Sequence, residues 1–479
     1  MMRRLSLILL PALLSIGCGG NEEPASSQET APVSLAIPSP QPAEKISTPS
    51  TPEAAASSRK KYSPEIVILL QRARAAVTQG RHAGAIEALS QAIGSTPDDS
   101  SLFRMRADVY ALAGENANAR ADFSTAIRLA PDSADLLNAR GYFLMTLGIP
   151  ADALQDFDAA ISRNPQHTAA LNNRGLLQLA AGHYETCVKD FSKAIAADSE
   201  FMEAWNNRAY AHLKSGNLND AMSDVRQAIR IREDYPTAWN NCGLIAMEQE
   251  DYREASRAFT RAIELSPLDI RLLQHRREAW LKLERFQEAG QDAAKIRWLQ
   301  ELEQLTAATG KSRGNPALWI RRGEHLMAGS EFGAAVQDFT RAILLQPKNP
   351  PALTARARAW LAMGDTEKAL LDCDQALSIE DYPEARSLRG DLYLASGKAA
   401  EAVADFETAG RFDQAVAAAL TLLAEQQTEA GDTAAAAVSR RKAAGITDAL
   451  TQEAVPQPEP PSAEDNGFDP LTDDQAKPE

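Results

Sequence analysis

The chain has 479 residues, with 65 Asp and Glu against 50 Lys and Arg and a formal net charge of −15. That balance argues against a nucleic-acid partner, which needs a basic footprint. The length would allow several globular domains, but a phrase repeated along most of the chain overrides that expectation.

Met1-Met2-Arg3-Arg4 is a short basic region, followed by an apolar stretch at residues 5–16 and then Gly17-Cys18-Gly19-Gly20. The stretch is too short to span a bilayer as a helix, and its length and flanks suit a secretory signal at residues 1–17. Leu14-Ser15-Ile16-Gly17-Cys18 resembles the lipobox of bacterial lipoproteins, with Ser15 where that family prefers leucine. The resemblance implies cleavage before Cys18 and lipidation of Cys18; the other reading is an ordinary signal with an incidental cysteine. Several acyl chains on one residue would hold the protein firmly, since one chain alone binds marginally. Gly19 is not the aspartate that retains some lipoproteins in an inner membrane, so the resemblance implies an outer-membrane location. Residues 18–64 carry Pro24, Pro32, Pro38, Pro40, Pro42, Pro49, Pro52 and Pro64 and no apolar period, the composition of a disordered tether. Such a tether would reach roughly 40 Å root-mean-square.

From residue 65 to 450 a phrase returns about every 34 residues: Leu/Trp-x-x-Arg-Gly/Ala, an apolar residue, Gly, Ala, Asp-Phe, Ala-Ile and often Pro. Its alanine register falls on Ala85, Ala119, Ala153, Cys187, Ala221, Ala255 and Ala289, and after a 12-residue insertion on Ala335, Ala369, Ala402 and Ala436. Within each unit two apolar blocks at helical spacing flank a turn glycine such as Gly182. Pro97, Pro131, Pro165, Pro267 and Pro347 stand where second helices must end. Gly175 and Ala194 are small where helices cross closely, and Phe191 fills the gap between hairpins. These spacings resemble the tetratricopeptide repeat. The resemblance implies an all-α, right-handed α-solenoid of about ten to eleven helix-turn-helix repeats. The expected order is a first array at 65–309, a linker at 310–315, a second array with capping helices at 316–450, and a disordered tail at 451–479. In the tail, eight carboxylates stand against Lys477 alone among several prolines, which suits a solubilising segment or an acidic docking segment.

One internal pairing follows from comparing the repeats with each other. An Arg in the first helix and an Asp 16 residues later occur as Arg106/Asp122, Arg140/Asp156, Arg174/Asp190, Arg208/Asp224, Arg276/Asp292, Arg322/Asp338, Arg356/Asp372 and Arg389/Asp405. Where Arg gives way to Cys242, Asp gives way to Ala258, so an ion pair within each hairpin is expected. The first unit departs, with Arg72 facing Ala88.

First helices of such an array line its concave face. One stripe across four units reads Asn138/Tyr142/Met145, Asn172/Leu176/Leu179, Asn206/Tyr210/Leu213 and Asn240/Leu244/Met247, with Asn173, Asn207 and Asn241 alongside. A side-chain amide offers donor and acceptor together, so a ladder of amides can grip an extended peptide backbone beside an apolar strip. The alternative is that the amides bond to one another within the stack.

No cofactor, metal, nucleotide or catalytic site is expected. Gly310-Lys311-Ser312 has Leu305 where a phosphate-binding loop needs glycine. The six histidines occupy unrelated places, and Cys187, Cys242 and Cys373 replace core residues and read as buried thiols. Three functional readings stand open: an envelope-assembly scaffold that recruits an extended segment of another protein, a permanent architectural subunit of an envelope complex, or an accessory subunit presenting substrates to a separate enzyme.

Overall fold

A computed structural model describes residues 62–453, so the signal, Cys18, the tether up to residue 61 and the acidic tail from residue 454 lie outside the described residues. The chain divides between Pro267 and Leu268 into two compact units. In the first unit, α1 (Pro64–Thr78) pairs with α2 (His82–Ser95), α3 (Ser100–Leu112) with α4 (Asn116–Leu129), and α5 (Ala134–Thr146) with α6 (Pro150–Arg163). There follow α7 (Thr168–Ala180) with α8 (Tyr184–Ala197), α9 (Met202–Lys214) with α10 (Leu218–Ile231), and α11 (Pro236–Glu248) with α12 (Tyr252–Leu265). The second unit pairs α13 (Ile270–Lys282) with α14 (Phe286–Lys311), α15 (Pro316–Ala328) with α16 (Phe332–Leu345), and α17 (Pro350–Ala362) with α18 (Thr366–Ile379). It ends with α19 (Pro383–Ala395) against α20 (Ala399–Thr408) and α21 (Gln414–Glu429) against α22 (Thr433–Glu453). This is the expected solenoid of helical hairpins. Among the described residues no helix is long and apolar enough to cross a membrane.

The helix ends follow local chemistry. Asp99 caps α3 by accepting from Ser101 N–H, and Ser133 caps α5 by accepting from Leu136 N–H. Proline opens α11, α15, α17 and α19, where its missing N–H costs nothing. Gly182, at φ 78°, turns the chain between α7 and α8 in the left-handed region. Glu250 (φ 60°), Glu284 (φ 57°) and Ser330 (φ 61°) take the same turn conformation without glycine's freedom.

Two layers of contact hold most of the hairpins. The first is steric. Phe157, Phe191, Phe259, Phe339 and Phe406 are buried. Their rings lie over Gly141, Gly175, Gly243, Gly323 and Gly390 of the paired first helix, where an added Cβ at Gly175 would stand 2.6 Å from the Phe191 ring. Four hairpins carry alanine instead: opposite Ala73, Ala209 and Ala357 the ring gives way to Leu89, Val225 and Cys373, which roughly conserves volume at the crossing, whereas Ala107 keeps Phe123. Burial pushes the Cys373 thiol up to about 12 and those of Cys187 and Cys242 up to about 11, which keeps all three protonated.

The second layer is ionic. All eight Arg–Asp pairs form, each with two parallel hydrogen bonds: Arg174 Nε donates to Asp190 Oδ2 at 2.7 Å and Nη2 to Oδ1 at 2.6 Å. The third arm of the guanidinium reaches the preceding hairpin. Nη1 of Arg106, Arg174 and Arg208 donates to Ser90 (2.9 Å), Asp158 (2.8 Å) and Ser192 (2.9 Å). In the second unit Arg356 and Arg389 reach Thr340 (3.1 Å) and Asp374 (2.6 Å) in the same way. The arginine therefore sets the angle within its own hairpin and ties that hairpin to its neighbour. Arg72, opposite Ala88 where other hairpins have Asp, stands 4.0 Å from Glu87, with both side chains more than half exposed.

The insertion lies inside α14, which runs unbroken through Gly310 and Lys311. Helix-forming residues carry α14 through the inserted segment as far as Lys311, and the compact units divide at Pro267. Its first half packs on α13 through Asp292, whereas its last turns serve α15: Arg322 Nη1 donates to Thr309, 13 residues back and not 16. Trp298 locks this junction, stacking on His325 and donating from its indole N–H to the His325 carbonyl at 3.1 Å. Gly329 is small because Trp298 lies against it.

Candidate functional site: the first-helix face

Within each unit, first helices approach the first helix of the next hairpin more closely than second helices approach theirs, as between α5 and α7, α7 and α9, and α9 and α11. Closer spacing on one side bends a stack toward that side, so the first helices form its inner face. On each of them, residues five and two before the arginine position, and two and five after it, share one stripe.

The amides of that stripe are engaged with one another. Asn173 Nδ2 donates to Asn138 Oδ1 at 3.0 Å, Asn207 to Asn172 at 2.9 Å, and Asn241 to Asn206 at 2.9 Å. Asn206 Nδ2 also leans on Asn207 Oδ1 at 3.4 Å. Asn172 and Asn206 are only 2% and 1% exposed, and Asn173, Asn207 and Asn241 are buried with them. Bonding within the stack is the arrangement the geometry shows, and through it Asn172 and Asn206 tie neighbouring hairpins together. The physical reason is the offset: the second asparagine of each pair points back at the first asparagine of the preceding hairpin. Asn138 and Asn240, at the two ends of the ladder, keep partial exposure.

The apolar members of the stripe remain as the floor. Tyr142, Tyr210 and Leu244 are half-buried, with Met145, Leu213 and Met247 beside them, while Leu176 and Leu179 are buried against Phe191 and Ala211. Desolvation raises Tyr142 above its ordinary pKa and pushes Tyr210 up to about 12, so both hydroxyls stay neutral donors. The matching positions of the second unit are charged: Glu278, Glu324, Arg358 and Asp391, the last bonded to Arg411 at 2.7 Å. The two units thus present different chemistry on equivalent faces.

Sequence reasoning missed one part of the first-unit face. In α3 the stripe carries Arg104 and Asp108 where later hairpins carry Asn and Tyr or Leu. Their closest approach, Nε to Oδ2, is 3.6 Å, too long for a hydrogen bond, and Arg104 Nε is buried without a partner. Burial pushes the Asp108 carboxyl up to about 6. Among the described residues no group of three His, Cys, Asp or Glu side chains could hold a metal ion.

Comparison with known proteins agrees with this architecture. Family models described as tetratricopeptide repeat match residues 70–134, 138–186, 172–236 and 320–385, and a second such model matches 236–269. DnaJ homolog subfamily C member 3 of Rattus norvegicus is 35% identical over 89 residues, 18% of either chain. Outer dynein arm-docking complex subunit 4 of Mus musculus is 41% identical over 59 residues, 12% of this chain and 10% of that one. The chain thus spans less than a fifth of the length of these relatives. Among solved structures, PilW, titled a type IV pilus biogenesis factor, covers 43% of this chain and 96% of its own at 22% identity and TM-score 0.39. YrrB, titled a repeat protein with an unusual peptide-binding site, covers 40% of this chain and all of its own at 18% identity and TM-score 0.34.

Proposed function

Because the chain belongs to the tetratricopeptide repeat family, and such repeats make it a scaffold for protein–protein interaction, we propose that it recruits one partner protein through the first-helix face of its first unit, without catalysis of its own. The observation that carries this is the half-buried apolar floor of Tyr210, Leu213, Leu244 and Met247, which nothing in the chain's described residues covers completely. Cys18, within its lipobox-like segment, would anchor the scaffold to an outer membrane facing the periplasm, and the work so localised is assembly or organisation of the cell envelope. A second reading, a permanent architectural subunit, has Leu344 and Leu371 in its favour, each 67% exposed on second helices.

A photo-crosslinking residue at Leu213 of the full-length protein in intact cells separates the two readings. Capture of one protein there supports recruitment through the inner face. Capture of nothing at Leu213, with strong capture at Leu371, overturns it in favour of the architectural subunit. Asn206 is the wrong site for the probe, since replacing it breaks its bond with Asn241. For the anchor, Cys18→Ser should move the protein from the membrane pellet to the soluble fraction; retention in the pellet refutes lipidation.

A further inference from the structure

The engaged amides and the loosely paired carboxylate of α3 together define what kind of segment suits the first unit's face. Asp108 occupies the stripe position held by Tyr142, Leu176, Tyr210 and Leu244 in the next four hairpins. Its side chain is 33% exposed and makes no hydrogen bond with any described residue, and Arg104 stands off at 3.6 Å. Arg104 is an ion-pair neighbour too far off to hydrogen-bond, so the carboxylate oxygens stay open to a second cation supplied from outside. The floor beyond it, toward α11, is apolar.

Resting on the inner-face reading above, we infer that the partner segment is an amphipathic α-helix that places a lysine or arginine on Asp108 and apolar side chains along Tyr142, Tyr210 and Leu244. The state of the amides favours a helix over an extended strand. An extended backbone needs donors and acceptors from its host, and Asn172 and Asn206 already accept from Asn207 and Asn241 at 2.9 Å. A helix satisfies its own backbone and asks the face only for side-chain contact. The spacing agrees. Packed helices stand about 8–10 Å apart, and seven residues of helix rise about 10.5 Å. A helix laid along the face therefore meets one hairpin per heptad, with its basic residue first and the apolar residues for Tyr142, Tyr210 and Leu244 about 7, 21 and 28 positions after it. In an extended chain the same step takes about three residues.

The test uses the full chain and synthetic fluorescein-labelled peptides read by anisotropy. One 35-residue peptide has Lys followed by Leu at heptad spacing in an Ala/Gln/Glu helix, with a second of reversed order, and companions have Lys replaced by Gln or Glu. A short peptide with Lys and Leu at three-residue spacing represents the extended form. The Lys heptad peptide, in one of its two orders, should bind about tenfold more tightly than its Gln companion. Asp108→Asn should abolish that difference while leaving the Gln peptide's affinity unchanged, and Asp108→Lys should reverse the preference toward the Glu peptide. Equal binding of the Lys and Gln peptides to the native chain would overturn the role of Asp108 while leaving an apolar inner face intact. Preference for the three-residue spacing, or no binding of any helical peptide, would overturn the helical occupant. The inner-face reading itself stands or falls separately, on the crosslink from Leu213.

Discussion

Replacing Asp190 by alanine isolates what one ionic tie is worth. Asp190 is 4% exposed on its side chain and accepts two bonds from Arg174, itself 19% exposed, at 2.7 and 2.6 Å. Truncating one side of a buried pair generally costs about 3–5 kcal/mol, because the other charge is stranded. Arg174 keeps one bond, to Asp158 at 2.8 Å, and Asp158 is more than half exposed. The loss should therefore fall at the low end, about 3 kcal/mol. The sixth hairpin supplies the control, since it folds with Cys242 and Ala258 at the same two places. In Arg174→Cys/Asp190→Ala both charges go together, and only ordinary hydrogen-bond and packing losses of about 1–2 kcal/mol remain. The double substitution should thus be less damaging than the single one. Urea midpoints of the whole chain and hydrogen exchange of the α7 and α8 amides together would measure this, because an array opens locally as well as globally. An unmoved midpoint for Asp190→Ala, or a double variant that costs more than the single, would refute the reasoning.

Three further outcomes are expected. Glu250→Gly and Ser330→Gly relieve left-handed backbone at φ 60° and 61° and should each stabilise the chain by about 0.5–1 kcal/mol in a thermal melt, net of glycine's extra unfolded-state entropy; a lower melting temperature would show that the turns are not strained. Gly175→Ala drives a Cβ to 2.6 Å from the Phe191 ring and should cost about 1–3 kcal/mol, with Phe191→Val restoring most of it by reproducing the Ala209/Val225 crossing; a double variant no better than Gly175→Ala would count against volume matching. Asp108 has a folded pKa of about 6, above the ordinary carboxylate value, so its ionisation opposes folding. Its contribution should worsen as pH rises from the ordinary carboxylate value toward 6 and then level off. Asp108→Asn should therefore raise the urea midpoint relative to the native chain at pH 7.5 and not at pH 3.5, and a gain independent of pH would sink this assignment.

Much of the fold was legible because the chain compares itself with itself. The 16-residue Arg–Asp spacing recurs, and it fails at Cys242 and Ala258 together, which a reader can see without coordinates. The amides were legible as a ladder but not in direction. Asn172 and Asn173 are adjacent, and the sequence does not say that Asn173 turns back to Asn138 while Asn172 receives Asn207. Asp108 passed unnoticed because an acid stands at that position only once in the first unit, so no repetition there drew attention to it. The third arm of each arginine was missed for a different reason. Its acceptors, Ser90, Asp158, Ser192 and Thr340, differ in type and share only their place two residues after the Asp position. The insertion suggests a break in the sequence, whereas α14 absorbs it as continuous helix up to Lys311.

That continuity makes α14 a phase-setting element. Asp292 faces α13 and Thr309 faces α15, 17 residues of one rigid rod apart, or about 4.7 turns. One residue added between them would advance α15 by about 1.5 Å and rotate it by about 100°, carrying every later hairpin of the second unit round with it. A surface loop of the same length would forgive such a change. Here, length can vary without reorienting the downstream charged face, with its Glu324, Arg358 and Asp391, only in whole helical turns, in steps of three, four or seven residues.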